Sequence, residues 1–375
     1  MRILIFYASY GGGHLSAAKS IKEYIEKNYK DNVVELCDCM KYINKPIEKL
    51  TTDAYKIMAK DAPKAWGMIY KLSDKGPIFH ISNFNNEVMS YKLNKMFKEF
   101  KPDIVISTHP FSTQMSAYLK KTGKINCKIA SVMTDFASQN QWLVGNKYID
   151  YIFVSNEEMK QSIIQKGIDE KKVYATGIPL SSRFKEKYDK KAIHKEFNLD
   201  ENKKTILFFG GGEFGLAKET TQKILREFVK NLKDEYQIVI ISGKNEKIYD
   251  KFKNIVREEN EEKSAIVIEY SNKIPELMSI SYIVVTKPGG LTSTESISSN
   301  LPIIIINPIP GQEEENATYL EKKNVAIWIH DTDDLQDKIS KILSDSELIN
   351  NMKENTKKIA NVNSTRDIVE KILNG

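Results

Sequence analysis

The feature that most constrains this chain is a repeated alternation of short apolar runs with stretches of helical periodicity. The pattern is typical of parallel β-α-β units rather than of a sandwich or a helical bundle. It occurs in two series, and the first has its apolar runs at Arg2–Tyr7, Val33–Leu36, Ile104–Ser107, Lys128–Thr134, Tyr151–Val154 and Lys172–Ala175. The second has them at Thr205–Phe209, Gln237–Ser242, Ala265–Ile268, Tyr282–Thr286, Pro302–Asn307 and Ala326–Ile329. The sequence therefore predicts an α/β protein with two parallel sheets.

A polar segment without strand signal, Ser181–Lys204, separates the two series, and we place the connection between two domains there. A chain of 375 residues is long enough for both. We expect two doubly wound Rossmann-like domains that face a cleft, residues 1–180 and residues 181–375, with the final helix packing back on the N-terminal domain. In such sheets ligands bind at the carboxyl ends of the strands, so the loops there are the candidate sites.

Several classes of protein are excluded by composition. The longest aliphatic run, Ile303–Ile306, is far shorter than the roughly 18 apolar residues of a membrane-spanning helix. A strand that starts at Arg2 leaves no room for a signal peptide, and three cysteines are too few for a disulfide scaffold. The net charge of +6 is modest for a nucleic-acid binder. We therefore expect a cytoplasmic protein that binds no nucleic acid.

Basic charge is concentrated in residues 41–101, which contain 12 lysines, no arginine and 6 acidic residues. Apolar and aromatic residues recur there at helical spacing, and Pro63 divides the pattern into two helices. The simpler interpretation is a pair of core-packed helices with a solvated lysine face. The alternative is a peripheral membrane contact, since lysines interleaved with aromatic residues favour anionic lipid headgroups. The residues proposed for that contact are Lys60, Lys64, Trp66 and Met68.

The first candidate loop follows the first strand and contains Gly11, Gly12, Gly13 and His14 before a helix. Glycines let the backbone approach a ligand, and a helix N-terminus attracts negative charge. A plain tight turn is the alternative. A histidine at this position is suited to proton transfer near neutral pH, although a lone histidine is often structural.

The second loop, Gly210–Gly215, formally matches the dinucleotide fingerprint G-x-G-x-x-G. The next strand ends at Ser242 without the carboxylate that would bind an adenosine ribose. We therefore predict that Gly211 and Gly212 face a phosphate without dinucleotide specificity, and a simple turn is the alternative.

The third loop, Lys287–Glu295, places Gly289 and Gly290 before a helix and predicts a second diphosphate cradle. Thr292 and Glu295 also have capping-box spacing, so the glutamate has either a capping or a binding role.

The fourth loop offers Gln312, Glu313 and Asn316 to the hydroxyls of a sugar, and a solvated acidic turn is the alternative. Asp331-Thr332-Asp333 is interpreted as a helix cap rather than a metal-binding pair, and the sequence contains no P-loop. We expect no metal and no cofactor.

Six motifs in this order carry a resemblance to a known family: Gly11-Gly12-Gly13-His14, Thr134-Asp135-Phe136 with Trp142, Gly177-Ile178-Pro179, Gly210-Gly211-Gly212, Lys287-Pro288-Gly289-Gly290-Leu291-Thr292-Ser293-Thr294-Glu295 and Pro310-Gly311-Gln312-Glu313. Over nearly the whole chain they resemble the bacterial diacylglycerol glucosyltransferases and plant monogalactosyldiacylglycerol synthases. More loosely, the chain is similar to the N-acetylglucosaminyltransferase of peptidoglycan synthesis, which shares the two-domain GT-B architecture.

The resemblance implies a UDP-sugar held mainly by the C-terminal domain and a lipid acceptor approached from the N-terminal domain. It also implies inversion at the anomeric carbon. The roles it implies are ribose binding by Glu295, diphosphate binding by Gly289, Gly290, Leu291 and Thr292, sugar binding by Gln312 and Glu313, and general-base catalysis by His14. Asp135 would orient or polarise that base. The chain departs from the family pattern at Gln139, where relatives carry a histidine.

The sequence thus predicts an inverting transferase that moves a hexose from a UDP-sugar to the hydroxyl of 1,2-diacylglycerol, or of a glycosyldiacylglycerol. It would act on an anionic membrane surface at the cytoplasmic face. Rival predictions are a UDP-N-acetylglucosamine-dependent transferase or epimerase, a nicotinamide-dependent oxidoreductase and a noncatalytic nucleotide-sugar sensor. The sequence leaves the choice of hexose, the number of sugars added and the oligomeric state open.

Overall fold

The computed structural model describes residues 1–9, 11–43, 53, 58, 62–74, 87–210, 219–330 and 333–374. These residues form two compact units. The first contains Met1–Ser182, Pro310–Glu315 and Asn361–Gly375, and the second contains Arg183–Ile309 and Asn316–Ala360.

The first unit is built on a six-stranded sheet in which every neighbouring pair is parallel, in the order β2-β1-β3-β4-β5-β6. Its strands are β1 (Arg2–Tyr7), β2 (Val33–Asp38), β3 (Ile104–Ser107), β4 (Lys128–Val132), β5 (Tyr151–Val154) and β6 (Val173–Ala175). Its helices are α1 (Gly12–Asn28), α2 (Cys39–Ile43), α3 (Pro63–Asp74), α4 (Asn94–Phe100), α5 (Pro110–Lys121), α6 (Glu157–Gln165) and, at the end of the chain, α15 (Ser364–Asn374). Short 3₁₀ turns span Tyr91–Leu93, Asn140–Leu143, Asn146–Tyr148 and Glu170–Lys172, and Ser182–Lys185 crosses the boundary to the second unit.

Both faces of this sheet are buried. Ile3 and Ile5 of β1 pack with helices α1 and α15 on one face. Leu4 and Phe6 pack with α2, α4 and α5 on the other. Alternate residues of a strand point to opposite faces, and helices therefore cover the sheet on both sides.

The second unit has its own parallel sheet, in the order β12-β11-β10-β7-β8-β9. The strands are β7 (Lys204–Phe209), β8 (Tyr236–Ile241), β9 (Ala265–Ile268), β10 (Ser281–Thr286), β11 (Ile303–Ile305) and β12 (Ala326–Trp328). The helices are α7 (Lys190–Glu196), α8 (Glu219–Lys230), α9 (Glu246–Glu258), α10 (Ile274–Ile280), α11 (Gly290–Ser298), α12 (Gln312–Lys322), α13 (Leu335–Ser344) and α14 (Ser346–Ile359). The first turn of α12 belongs to the first unit.

All twelve predicted strands are present, and their ends differ from the predicted ends by at most two residues. The predicted α/β class with doubly wound parallel sheets is therefore confirmed. Strand order reverses between β1 and β3 in the first sheet and between β7 and β10 in the second. These two points are where ligands bind in open parallel sheets.

The last helix is held on the first unit by specific contacts. The hydroxyl of Thr365 donates to the carbonyl of Leu180 at 2.7 Å and accepts from its N–H at 2.8 Å. Gly177 has a φ of +85°, and a Cβ there would lie 3.1 Å from the Cβ of Ser364. The motif at Gly177 thus anchors the C-terminal helix.

The segment 181–204, which the sequence predicts to connect the domains, packs on the second unit from residue 183 onward. Arg183 donates two hydrogen bonds to the carboxylate of Glu276, at 2.8 and 2.9 Å. Lys273 forms an ion pair with Glu196 of helix α7. Residues 310–315, predicted in the C-terminal domain, belong to the first unit instead.

Candidate active site

The glycine loop after β1 lies where strand order reverses in the first sheet. Gly11 adopts a φ of +111° and is the N-terminal cap of helix α1, which begins at Gly12. A Cβ added at Gly12 would meet no atom within 4 Å. Packing therefore does not require a glycine at residue 12. Gly12 is exposed at the start of the helix, where the N–H groups of the first turn can bind an anion.

His14, in the first turn of α1, has a defined orientation. Its Nδ1 lies 2.6 Å from the carbonyl oxygen of Thr108 and 3.1 Å from the hydroxyl of Thr134. The Thr108 hydroxyl in turn donates to the His14 carbonyl at 2.9 Å. A carbonyl only accepts hydrogen bonds, so Nδ1 carries the ring proton and Nε2 carries the lone pair.

Burial lowers the pKa of His14 to about 4, although the hydrogen bond to Thr108 opposes this shift. The imidazole is therefore neutral at neutral pH. A neutral ring with its lone pair on Nε2 can accept a proton from an alcohol.

A second histidine, which the sequence analysis did not single out, lies beside the first. The ring of His109 is 4.7 Å from that of His14, in an edge-to-face arrangement. His109 is 6% exposed, and its Nδ1 accepts from the N–H of Phe111 at the start of helix α5. Burial, and then the proximity of His14, hold the pKa of His109 well below its usual value. His109 precedes Pro110 and follows a strand that neighbours β1, and this position could have identified it as a candidate site residue from the sequence.

The Thr-Asp-Phe motif follows β4. Thr134 contacts His14, and the adjacent Asp135 is half-buried. Gln139 precedes the 3₁₀ turn Asn140–Leu143 and makes no side-chain capping hydrogen bond to it, and Trp142 in that turn belongs to the apolar core. The role of Asp135 in orienting His14 stays a prediction.

The second glycine loop begins at Gly210, and Gly211 and Gly212 lie outside the described residues. A Cβ at Gly210 would lie 2.5 Å from the ring of Phe252. Packing against Phe252 therefore explains the first glycine of the apparent dinucleotide fingerprint.

The third loop leads from β10 into helix α11, where strand order reverses in the second sheet. Gly289 is the N-terminal cap, and a Cβ there would meet no atom within 4 Å. The helix begins with Gly290, Leu291 and Thr292, which present their N–H groups at its positive end. This arrangement suits a diphosphate.

Glu295 lies in the second turn of α11. Because the cap is Gly289, the alternative that Thr292 and Glu295 form a capping box is wrong. Burial is the cause that raises the pKa of Glu295 to about 8, so its carboxyl group is largely protonated at pH 7. A protonated carboxyl group both donates and accepts hydrogen bonds and can therefore pair with ribose hydroxyls, which also do both.

The fourth loop leads into helix α12 at Gln312. Glu314 accepts from the N–H of Gly311 at 3.2 Å and so closes the helix start, as a glutamate three residues into a helix often does. Gln312 and Glu313 are half-buried in the first turn. Asn316 is fully buried, and its amide donates to the carbonyl of Pro288 at 3.1 Å. Asn316 thereby supports the third loop, and a direct contact with a sugar stays a prediction.

Helix α3 carries the described part of the predicted membrane contact, since Lys60 lies outside the described residues. Lys64 and Lys71 are exposed, and Met68 and Leu72 are 62% and 48% exposed. Trp66 is half-buried with its indole nitrogen enclosed. The exposed apolar residues are therefore Met68 and Leu72 rather than Trp66.

Among the described residues, no group of three or more His, Cys, Asp and Glu side chains could hold a metal ion. The N-terminal cap of α13 is Asp334, which accepts from the N–H of Asp337, so the prediction that Asp333 caps this helix is wrong. Asp331 and Thr332 lie outside the described residues. In the part of the chain that the structure describes, no helix combines the length and apolar character that spanning a membrane requires.

Two family models match the chain. Residues 14–180 match the model of monogalactosyldiacylglycerol synthase, and residues 205–372 match the C-terminal domain of glycosyltransferase family 28.

Curated relatives match over nearly their whole length. The processive diacylglycerol beta-glucosyltransferase of Bacillus subtilis is 30% identical over 99% of this chain and 94% of its own. The protein of the same name from Bacillus cereus is 31% identical over 99% and 93%.

Solved structures with the same fold include MurG of Acinetobacter baumannii, with a TM-score of 0.66 and 12% identity over 100% of this chain and 99% of that one. The UDP-GlcNAc 2-epimerase of Neisseria meningitidis has a TM-score of 0.65 and 15% identity over the full length of both chains. Anabaena HepE in complex with UDP has a TM-score of 0.58 and 14% identity, also over the full length of both. These likenesses show the GT-B fold.

Proposed function

The chain belongs to the diacylglycerol glycosyltransferases of glycosyltransferase family 28, and from that premise we propose the reaction and its residues. The enzyme transfers a hexose from a UDP-sugar to the hydroxyl of 1,2-diacylglycerol, or of a glycosyldiacylglycerol, with inversion. The full-length likeness to curated transferases of that specificity supports the two substrates. The UDP complex of a structural neighbour supports a nucleotide-sugar donor.

The orientation of His14 carries the proposed mechanism. The acceptor oxygen attacks the anomeric carbon while the bond from that carbon to the diphosphate oxygen breaks. The hydroxyl proton passes to Nε2 of His14, whose Nδ1–H remains bonded to the Thr108 carbonyl at 2.6 Å. Because the attack comes from the face opposite the leaving group, the configuration inverts. Asp135 and the enclosed His109 keep the base in place.

The residues that bind the UDP-sugar also stabilise the negative charge that develops on the departing UDP. The N–H groups at the start of helix α11, around Gly289 and Gly290, bind the diphosphate. The largely protonated Glu295 binds ribose hydroxyls, and Gln312 and Glu313 bind the hexose. Gly211 and Gly212 complete the phosphate contacts in this proposal, which requires no metal ion.

Diacylglycerol stays in a bilayer, so the enzyme docks on the membrane surface to reach its hydroxyl. The exposed side of α3 supports this step, because Met68 and Leu72 are four residues apart and lie among exposed lysines. Lys64 and Lys71 attract anionic headgroups while the two apolar side chains insert. We propose docking at the cytoplasmic face of the cell membrane.

The test is incubation of the full chain with diacylglycerol-containing vesicles and one UDP-sugar at a time, with lipid products identified by mass spectrometry. We expect diacylglycerol that carries one or more hexoses, in the β configuration when the donor is α-linked. Transfer of N-acetylglucosamine in place of hexose, or epimerised donor without any lipid product, would refute the proposal. The number of sugars on the product gives the processivity.

A further inference from the structure

Helix α3 makes close contact with residues 310–315, and both belong to the first unit. The hydroxyl of Tyr70 donates to Oε2 of Glu315 at 3.0 Å. Tyr70 is 7% exposed although it lies on a helix whose other side is open to solvent. Its ring is therefore buried, and residues 310–315 form part of its surroundings.

Two glycines allow this contact. Gly311 has a φ of +100°, and a Cβ there would lie 2.6 Å from Cγ of Tyr70. One turn earlier on α3, a Cβ at Gly67 would lie 2.8 Å from the Cβ of Pro310. Either substitution forces the helix and the loop apart, because real Cβ atoms do not approach other atoms so closely. The two surfaces are fitted to each other.

The contact flanks Gln312 and Glu313, which bind the hexose in the proposed function. Tyr70 packs against Gly311 on one side of Gln312 and Glu313 and bonds to Glu315 on the other. Glu314 holds Gly311 within the same turn. The backbone position of Gln312 and Glu313 is thus set from α3, which is some 240 residues earlier in the chain.

We propose that Tyr70 is a positioning residue for the hexose of the donor. It holds the first turn of α12 so that Gln312 and Glu313 meet the sugar hydroxyls, and it touches neither UDP nor the reacting atoms. The proposal rests on the proposed function, since it requires that this turn binds the sugar. It predicts a specific signature, because weaker positioning affects UDP-hexose and leaves UDP alone unaffected.

The experiment compares the affinities of UDP-glucose and UDP for the full chain by isothermal titration. Tyr70→Phe keeps the ring and removes the hydrogen bond to Glu315. We expect the Kd of UDP-glucose to rise roughly three- to tenfold, the usual range for one lost hydrogen bond, and the Kd of UDP to stay within twofold. Tyr174→Phe is the matched control, because it also removes one hydroxyl hydrogen bond in the first unit, to the carbonyl of Lys171.

The double variant Tyr70→Phe/Glu315→Ala tests whether the two groups act through each other. If they do, its Kd for UDP-glucose equals that of Tyr70→Phe within about twofold. Equal Kd values for UDP-glucose in Tyr70→Phe and Tyr174→Phe would overturn the proposal. So would a parallel loss of UDP and UDP-glucose binding, which is what a general structural defect produces. Failure of the proposed function is recognised separately and in the unaltered chain, which would then form no hexosyl-diacylglycerol from any UDP-hexose in the vesicle assay.

Discussion

Replacing Glu295 by glutamine isolates the energetic consequence of placing a carboxyl group in the second turn of α11. Burial raises its pKa from 4.5 to about 8. Below pH 4.5 the carboxyl group is protonated in both the folded and the unfolded state. As the pH rises from 4.5 to about 8, the group ionises in the unfolded state first, and the free energy of unfolding falls. Each pKa unit corresponds to about 1.4 kcal/mol, so ionisation of Glu295 lowers the free energy of unfolding by at most roughly 5 kcal/mol. The side chain keeps partial contact with water, and we take about 2 kcal/mol as the expected difference.

Glu295→Gln cannot ionise, so we expect its unfolding temperature to exceed that of the unaltered chain by roughly 4–8 °C at pH 9 and by under about 1 °C at pH 5. Differential scanning calorimetry at both pH values measures the difference. The control is Glu201→Gln, an exposed glutamate of the same unit. A difference of the same size at both pH values, or one no larger than in the control, would refute the reasoning.

The same substitution tests ligand binding. Glutamine keeps one donor and one acceptor, as a protonated carboxyl group does, whereas alanine keeps neither. At pH 7 we expect Glu295→Gln to bind UDP within threefold of the unaltered chain and Glu295→Ala to bind it roughly tenfold more weakly. Equal affinities in all three proteins would remove Glu295 from the ribose site.

Two further predictions concern His14 as the general base and helix α3 as the membrane contact. His14→Ala should lower kcat by roughly a hundred- to ten-thousandfold with UDP affinity retained. In the unaltered chain, the acid limb of the kcat/KM profile should lie near pH 4 rather than 6.5. Unchanged turnover in the variant, or an acid limb at pH 6.5, would contradict the assignment. Met68→Ser combined with Leu72→Ser should weaken binding to phosphatidylglycerol vesicles in a flotation assay without altering UDP affinity, and undiminished flotation would exclude this face of α3.

The central strands of both sheets were predictable from sequence because they are buried on both faces. Every residue of Ile104–Ser107 and Tyr151–Val154 is buried, so each strand appears as a continuous apolar run. The positions of the candidate loops follow directly, since the carboxyl ends of parallel strands share one edge of a sheet. The local pattern of apolar residues was therefore sufficient to predict the two parallel sheets.

The contacts that define the site depend on residues far apart in the chain, and local pattern does not encode them. His109 lies beside His14 only because β3 pairs with β1. Gly210 is the first glycine of a ligand fingerprint in the sequence, but the fold places Phe252 of helix α9 directly against it. The capping-box spacing at Glu295 is misleading because the helix starts two residues before Thr292.

His14, to which we assign proton acceptance, and Glu295, to which we assign ribose binding, are both held in their uncharged forms by burial. For His14 this keeps the lone pair available down to about pH 4. For Glu295 it prevents a negative charge from forming on the helix whose N-terminus is to bind a diphosphate, where an ionised carboxylate would repel the ligand. Binding of UDP should therefore weaken as the pH rises through about 8, and Glu295→Gln should remove that dependence. If the two assignments hold, we expect His14 to set the acid limit of kcat/KM and Glu295 its alkaline limit, so that activity extends further to the acid side than with an ordinary histidine base.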